Sequence, residues 1–290
     1  MRRDNMSPVL EVRNLRKEFK GFSLKNISFV LEKGYIMGFI GPNGAGKSTT
    51  IKLIMNLIHK DEGEIKVFGL DNVKYEKEIK ERIGFVFDEN YFYDELTISE
   101  VKRVVAPFYK NWDDKLFYKY IKEFSLPLKK KIKHLSKGMK MKLSLAIALS
   151  HHAELLIMDE PTSGLDPIIR SELLDILSSF IQDENRGVFF STHITSDLDK
   201  IADYITFIND GNIIFSCTKD EIFENYGLVK GPKELLHSSI QPLFISVKEN
   251  QFGFEALTKD KQKIKRILGD KIIVDKPSLE DIIVYFQRGM

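Results

Sequence analysis

The sequence predicts an α/β fold, and three observations carry that expectation. Tyr35 to Ile40 is a short apolar run, residues 41 to 49 read GPNGAGKST, and Ile51, Ile54, Met55 and Ile58 then recur at helical spacing, so strand, glycine-rich loop and helix occur in that order. Leu155 to Met158 is a continuous apolar run of the kind that forms a parallel strand buried on both faces, and Val188 to Ser191 is a second strand. Between them Asp166 and Pro167 form an N-cap with proline in the first turn, opening a helix that turns Ile169, Leu173, Ile176, Leu177 and Phe180 inward. At 290 residues the chain is long enough for a large core and for more than one domain.

The remaining elements follow in order. Val9 to Val12 and Phe22 to Leu31 read as strands of a small antiparallel layer, with Ile65 to Phe68 a third member. From Leu96 the texture becomes helical. Thr97 and Glu100 form a capping box, and Val101, Val104, Val105 and Phe108 follow until Pro107 disturbs the pattern. A second helix carries Leu116, Phe117, Tyr120, Ile121 and Phe124 on one face, and a third starts near Lys137, so a helical insert spans about residues 95 to 150. Within it the basic run Lys129 to Lys133 reads as a solvated helix end. Ile205 to Ile208 and Ile213 to Phe215 flank an Asp210-Gly211 hairpin signal. After about Leu228 come strand-like Leu243 to Val247 and Lys271 to Val274 and a helix capped by Ser278 and Asp281, read as a small accessory α/β domain over residues 228 to 290.

Composition narrows the function classes. The 44 basic and 42 acidic residues nearly cancel, so no nucleic-acid partner is expected. The single Cys217 cannot form an internal disulfide, and the six histidines show no metal-ligand spacing, which fits a reducing cytosol. No cleavable signal follows Met1, and the longest apolar runs fall far short of a membrane span.

The chemistry lies in five short motifs. Gly41 to Ser48 satisfies GxxxxGK[ST], a phosphate-binding loop. Gly41, Gly44 and Gly46 let the backbone wind until successive N–H groups converge on phosphate oxygens, Lys47 adds charge, and Ser48 offers a hydroxyl to Mg²⁺. Pro42, Asn43, Ala45 and Thr49 complete the expected nucleotide contact. LLIMDE delivers two carboxylates at a strand's C-terminal end, where ligands of open α/β sheets bind. Asp159 is placed to hold Mg²⁺ through water, and Glu160 to orient the water that attacks the γ phosphate. LSKGM introduces a helix, so the Ser136 hydroxyl, the Gly138 amide and the free helix N–H groups form a second anion site, although serine before a helix is often only a cap. SGLD contributes Asp166, and STH contributes His193.

Phosphate loop, LSKGM, LLIMDE, SGLD and STH, once each and in this order, resemble the ATP-binding subunit of an ABC transporter over roughly residues 8 to 225. The resemblance implies a P-loop NTPase with a RecA-like core, an antiparallel β subdomain and a helical insert, together forming an ATP-binding domain over residues 8 to 227. It implies ATP and Mg²⁺ as ligands, with Phe19 stacking on adenine, Ser136 and Gly138 contacting the γ phosphate held by a partner subunit, Asp166 as the aspartate of its loop, and His193 as the γ-phosphate sensor. It further implies a homodimer or heterodimer with a second ATP-binding subunit, an integral membrane permease as partner, and a place on the inner face of the cell membrane. Two departures stand out. LSKGM replaces the usual LSGGQ, and Asp88 occupies the place of a glutamine that touches Mg²⁺ and signals to the permease; aspartate can ligate a metal but cannot donate as an amide does. The tail PSLEDIIVYF resembles exporter-type subunits of the ABC-2 class. The alternatives are a soluble ABC ATPase acting on ribosomes or DNA, whose usual second nucleotide domain or long coiled coil is missing here, and a nucleotide-sensing module without turnover.

Overall fold

The computed structural model describes residues 8–87 and 92–289. They form two compact units, Met1–Ser216 and Cys217–Met290.

In the first unit, β1 (Leu10–Phe19) and β2 (Phe22–Leu31) make a hairpin whose turn needs Gly21 at φ 88°. β1 runs well beyond the expected Val12. Asn14 takes a left-handed φ of 47°, the register shifts there, and pairing resumes at Leu15 opposite Ile27. β3 (Ile36–Ile40) is buried along its whole length and feeds α1 (Lys47–Ile54). α1 ends before Ile58, because the chain turns left-handed at Asn56 (φ 51°), yet Ile58 still packs on the core. β4 (Glu62–Val67) and the short β5 (Leu70–Asp71) complete an antiparallel sheet ordered β2-β1-β4-β5.

α2 (Glu76–Arg82) leads into β6 (Ile83–Val86), a strand that the sequence reading lacked. The insert follows as α3 (Ile98–Val105), α4 (Asp114–Glu123) and α5 (Lys137–Ser150). Thr97 and Glu100 form the expected capping box, and the chain passes into a 3₁₀ turn at Ala106–Phe108, which contains Pro107. Val101 is buried as the spacing requires, but Val104 and Phe108 are exposed. The basic run is solvated yet is not a helix end: Lys131 and Lys133 lie at a 3₁₀ turn and both bond Glu95, at 2.9 and 2.7 Å.

β7 (Leu155–Asp159), α6 (Pro167–Phe180), β8 (Gly187–Thr192), α7 (Thr195–Ile201) and β9 (Tyr204–Asn209) build the parallel core, and β10 (Asn212–Thr218) closes its edge through the Asp210-Gly211 turn. The strand order is β10-β9-β3-β8-β7-β6, with the β9-β3-β8-β7-β6 neighbours parallel. The C-terminal ends of β3, β7 and β8 therefore lie side by side along one edge, where open α/β sheets bind ligands.

The second unit starts with α8 (Lys219–Asn225), whose N-terminus is closed by a Thr218–Glu221 capping box. β11 (Gly227–Gly231), β12 (Phe244–Asn250), β13 (Gly253–Thr258) and β14 (Ile273–Asp275) form an antiparallel sheet ordered β12-β13-β11-β14. Val229, Phe244, Phe254 and Ala256 share a core with Ile264 and Leu268 of α9 (Lys261–Leu268), while α10 (Leu279–Arg288), capped by Ser278, buries Leu279, Ile282 and Phe286. β12 and β14 are the two strands expected from sequence. The central pair β11 and β13 was not; β11 has glycine at both ends and β13 starts on one.

Candidate nucleotide site

The loop between β3 and α1 is shaped by three glycines used in three ways. Gly41 passes so close to β9 that a Cβ on it would lie 2.2 Å from the Ile208 carbonyl oxygen. Gly44 sits at φ 81° facing open space. Gly46, at φ 113°, packs on Leu24 and Phe22 of β2. Gly46 is also the N-cap of α1 and supplies no side-chain cap, so the first N–H groups of the helix have no capping side chain and are directed to the end where an anion is favoured. Asn43, Gly44 and Ser48 are exposed, Pro42 and Thr49 half-buried and Ala45 buried.

Lys47 is 6 % exposed, and its ammonium donates to the carbonyl oxygens of Gly41 (2.7 Å) and Pro42 (3.3 Å). It also lies 3.2 Å from Glu160 Oε1. A buried lysine is held here by three oxygens, one of them charged, which offsets its desolvation. The other Glu160 oxygen accepts from His193, from Nδ1 at 2.7 Å and from the backbone N–H at 3.3 Å. Loop lysine, carboxylate and histidine, from three separate crossovers, thus form one continuous array at the sheet edge.

Asp159 ends β7 and Glu160 follows it outside the strand, and the two carboxylates engage different partners. Asp159 Oδ1 accepts from the Ser191 hydroxyl at 2.5 Å, and that same hydroxyl oxygen and the Ser191 carbonyl accept from the Glu160 N–H at 3.0 and 3.2 Å. Ser191 pairs with Asp159 across β7 and β8, so it pins both carboxylate residues. Glu160 adopts φ 48°, rare for a residue with a side chain. Asp159 and the exposed Ser48 hydroxyl are hard oxygen donors. Such a pair suits Mg²⁺, which usually takes one or two protein oxygens and draws the rest from phosphates and water. Asp88 lies outside the described residues.

The other predicted residues lie at the end of β1, at the start of α5 and at the N-terminus of α6. Ser136 is exposed and caps α5, its hydroxyl accepting from the Met139 N–H at 3.2 Å. Gly138 is buried against α6, where a Cβ would meet Ile169 Cγ2 at 2.9 Å, so close packing within the chain requires this glycine. The Lys137 side chain lies over the Gly164 turn, its ammonium 3.5 Å from where a Gly164 Cβ would be. Asp166 caps α6 through its Oδ1, which accepts from the Ile168 and Ile169 N–H groups. Phe19 is 45 % exposed at the end of β1, stacked on Phe22 with ring centroids 6.4 Å apart, so it is an accessible ring and not a core side chain. Sequence reading missed the pinning role of Ser191, the buried Asp197 and Thr162, and the half-buried Arg170 that pairs with Asp197.

Comparison with known proteins identifies the family. A family described as ABC transporter matches residues 24–163, and one described as an AAA domain matches residues 130–198. The bacitracin transport ATP-binding protein BcrA of Bacillus licheniformis is 35 % identical over 214 residues, covering 72 % of this chain and 69 % of that protein. The lantibiotic transport ATP-binding protein SrtF of Streptococcus pyogenes is 34 % identical, covering 75 % and 96 %. The chain belongs to the ABC transporter ATP-binding proteins. A solved structure described as an ATP binding subunit of an ABC transporter superposes with a TM-score of 0.68 at 29 % identity, covering 74 % of this chain and 91 % of that one. As an ABC ATP-binding subunit the protein is an ATPase with a P-loop NTPase fold. Among the described residues no helix is long and apolar enough to cross a membrane.

Proposed function

We propose that this ABC ATPase hydrolyses ATP at the Lys47–Glu160–His193 array and powers a separate membrane permease through nucleotide-driven dimerisation. The array itself, with contacts of 3.2 and 2.7 Å around one carboxylate, carries the reading. Lys47 and the loop amides bind the β and γ phosphates of the substrate. Glu160 accepts a hydrogen bond from the attacking water and orients it, and His193 fixes the Glu160 carboxylate. When bound, Mg²⁺ neutralises phosphate charge, with Ser48 and Asp159 as the residues that would hold it. Phe19 supplies a stacking face for adenine.

Ser136 and Asp166 are exposed at adjoining helix tips, joined through Lys137 and Gly164. This supports a shared surface turned toward a second ATP-binding subunit, identical or paralogous, with Ser136 and the Gly138 amide meeting the partner's nucleotide. A groove of about 450 Å³ lined by Glu76, Lys80, Phe108 and Tyr109 carries Phe108 at 76 % exposure and supports docking of the permease beside the helical insert. The relatives named for bacitracin and lantibiotic transport, together with the C-terminal PSLEDIIVYF, favour an exporter of the ABC-2 type, with this subunit at the cytoplasmic face. The test is co-expression with a candidate permease. Co-purification and ATP-dependent dimerisation of the complex are expected, and a chain that remains monomeric with saturating magnesium ATP, alone and with permease, overturns the coupling.

A further inference from the structure

Behind the array lies a buried charge that the hydrolytic chemistry does not use. Asp197 of α7 is fully buried, and its two carboxylate oxygens serve two different segments. Oδ2 accepts from the Thr162 hydroxyl at 2.6 Å, in the turn just after Glu160. Oδ1 accepts from Arg170 Nε at 2.5 Å, on the first turns of α6 beyond Asp166. The other arm of Arg170 donates to Ser196 Oγ at 2.6 Å, and the Asp197 N–H donates to the Ile194 carbonyl, just after His193. Thr162 is itself 1 % exposed.

The segments that carry Glu160 and His193 are therefore tied to one carboxylate, while the two side chains meet each other at 2.7 Å. A buried carboxylate is costly unless both oxygens are well partnered, so this node has few alternative arrangements. Glu160 holds its unusual positive φ one residue beyond the end of β7, a conformation that persists only where the surroundings fix it.

We propose that Asp197 is a positioning residue that, through Thr162 and Arg170, holds the His193 loop in register with Glu160 and so sets the turnover rate. The inference rests on the proposed roles of Glu160 and His193. Asp197 touches no reacting atom in this scheme. Its effect passes through the geometry of the Glu160–His193 contact, where small displacements are expensive in rate.

The test uses the full chain and steady-state phosphate release with a parallel ATP titration. Asp197→Asn is expected to lower kcat about tenfold, and Thr162→Val, which spares the ion pair, about threefold. The ATP affinity of both should stay within about twofold of the parent, since neither residue touches the phosphate loop. In a His193→Ala background, Asp197→Asn should cost less than about twofold, because the contact it maintains is already gone. Equal loss in both backgrounds would show a merely structural strut, and parental turnover by both variants would remove Asp197 and Thr162 from any role. If Asp197→Asn does not fold, Thr162→Val with the same epistasis decides alone. Parental turnover by Glu160→Gln in the same assay would instead overturn the site assignment.

Discussion

Glu160→Gln gives the sharpest perturbation of the site. The carboxylate is 13 % exposed and has one oxygen on Lys47 and the other on His193, so the amide keeps the shape but loses the charge and the basicity. A positioned general base contributes about 10²- to 10⁴-fold in rate. That corresponds to about 3–5 kcal/mol of barrier, so kcat should become almost undetectable. Binding responds differently. Lys47 exchanges a charge-assisted bond of about 1.5–3 kcal/mol for a neutral one of about 0.5–1.5 kcal/mol, leaving its ammonium about 1 kcal/mol freer to engage phosphate. Its bonds to the Gly41 and Pro42 carbonyls remain, so the loop keeps its form. ATP affinity should therefore be unchanged or tighter by up to about fivefold, and a nucleotide-bound dimer should accumulate. Phosphate release, calorimetric titration and light scattering with magnesium ATP measure the three effects. Turnover at the parental rate, or clearly weaker ATP binding, would refute the reasoning.

Two further outcomes follow from the same contacts. Lys47→Ala removes the buried ammonium and leaves Glu160 facing the bound phosphates, so ATP affinity should fall by about tenfold or more, and an unchanged Kd in titration would contradict the assignment. Hydrogen bonds from Lys133 and then Lys131 hold Glu95 well below its ordinary value, at about 2. Because the folded value lies below the unfolded one, this contribution to stability is present above the ordinary carboxylate pKa of 4.5 and is lost as pH falls toward 2. The melting-temperature gap between the parent and Glu95→Gln should thus be small at neutral pH, shrink below about pH 5 and shrink also with added salt; a gap constant down to about pH 3 would oppose this.

Much of the fold was legible because the informative signals are local. The phosphate loop, the Thr97–Glu100, Asp166 and Ser278 caps, and the Asp210-Gly211 turn all act over a few residues, and each appears where its pattern required. β6, β11 and β13 were not legible, since a short strand gains its identity from neighbours far along the chain. The length of β1 was hidden for a related reason: its alternation breaks at Asn14, and only pairing with β2 carries it past the irregularity.

The site divides the same way. The sequence alone determined which side chains are available: a lysine behind glycines, a carboxylate at a strand end and a histidine after the next strand, because these motifs are set by short-range backbone geometry. Only the tertiary structure decided that Glu160 lies between Lys47 and His193, that Ser191 pins both carboxylate residues, that Gly138 serves the packing of α5 on α6, and that Asp197 is buried with both oxygens engaged. Those facts depend on distances between crossovers that the chain order leaves free, and they are fixed when parallel strands register and exclude water between them.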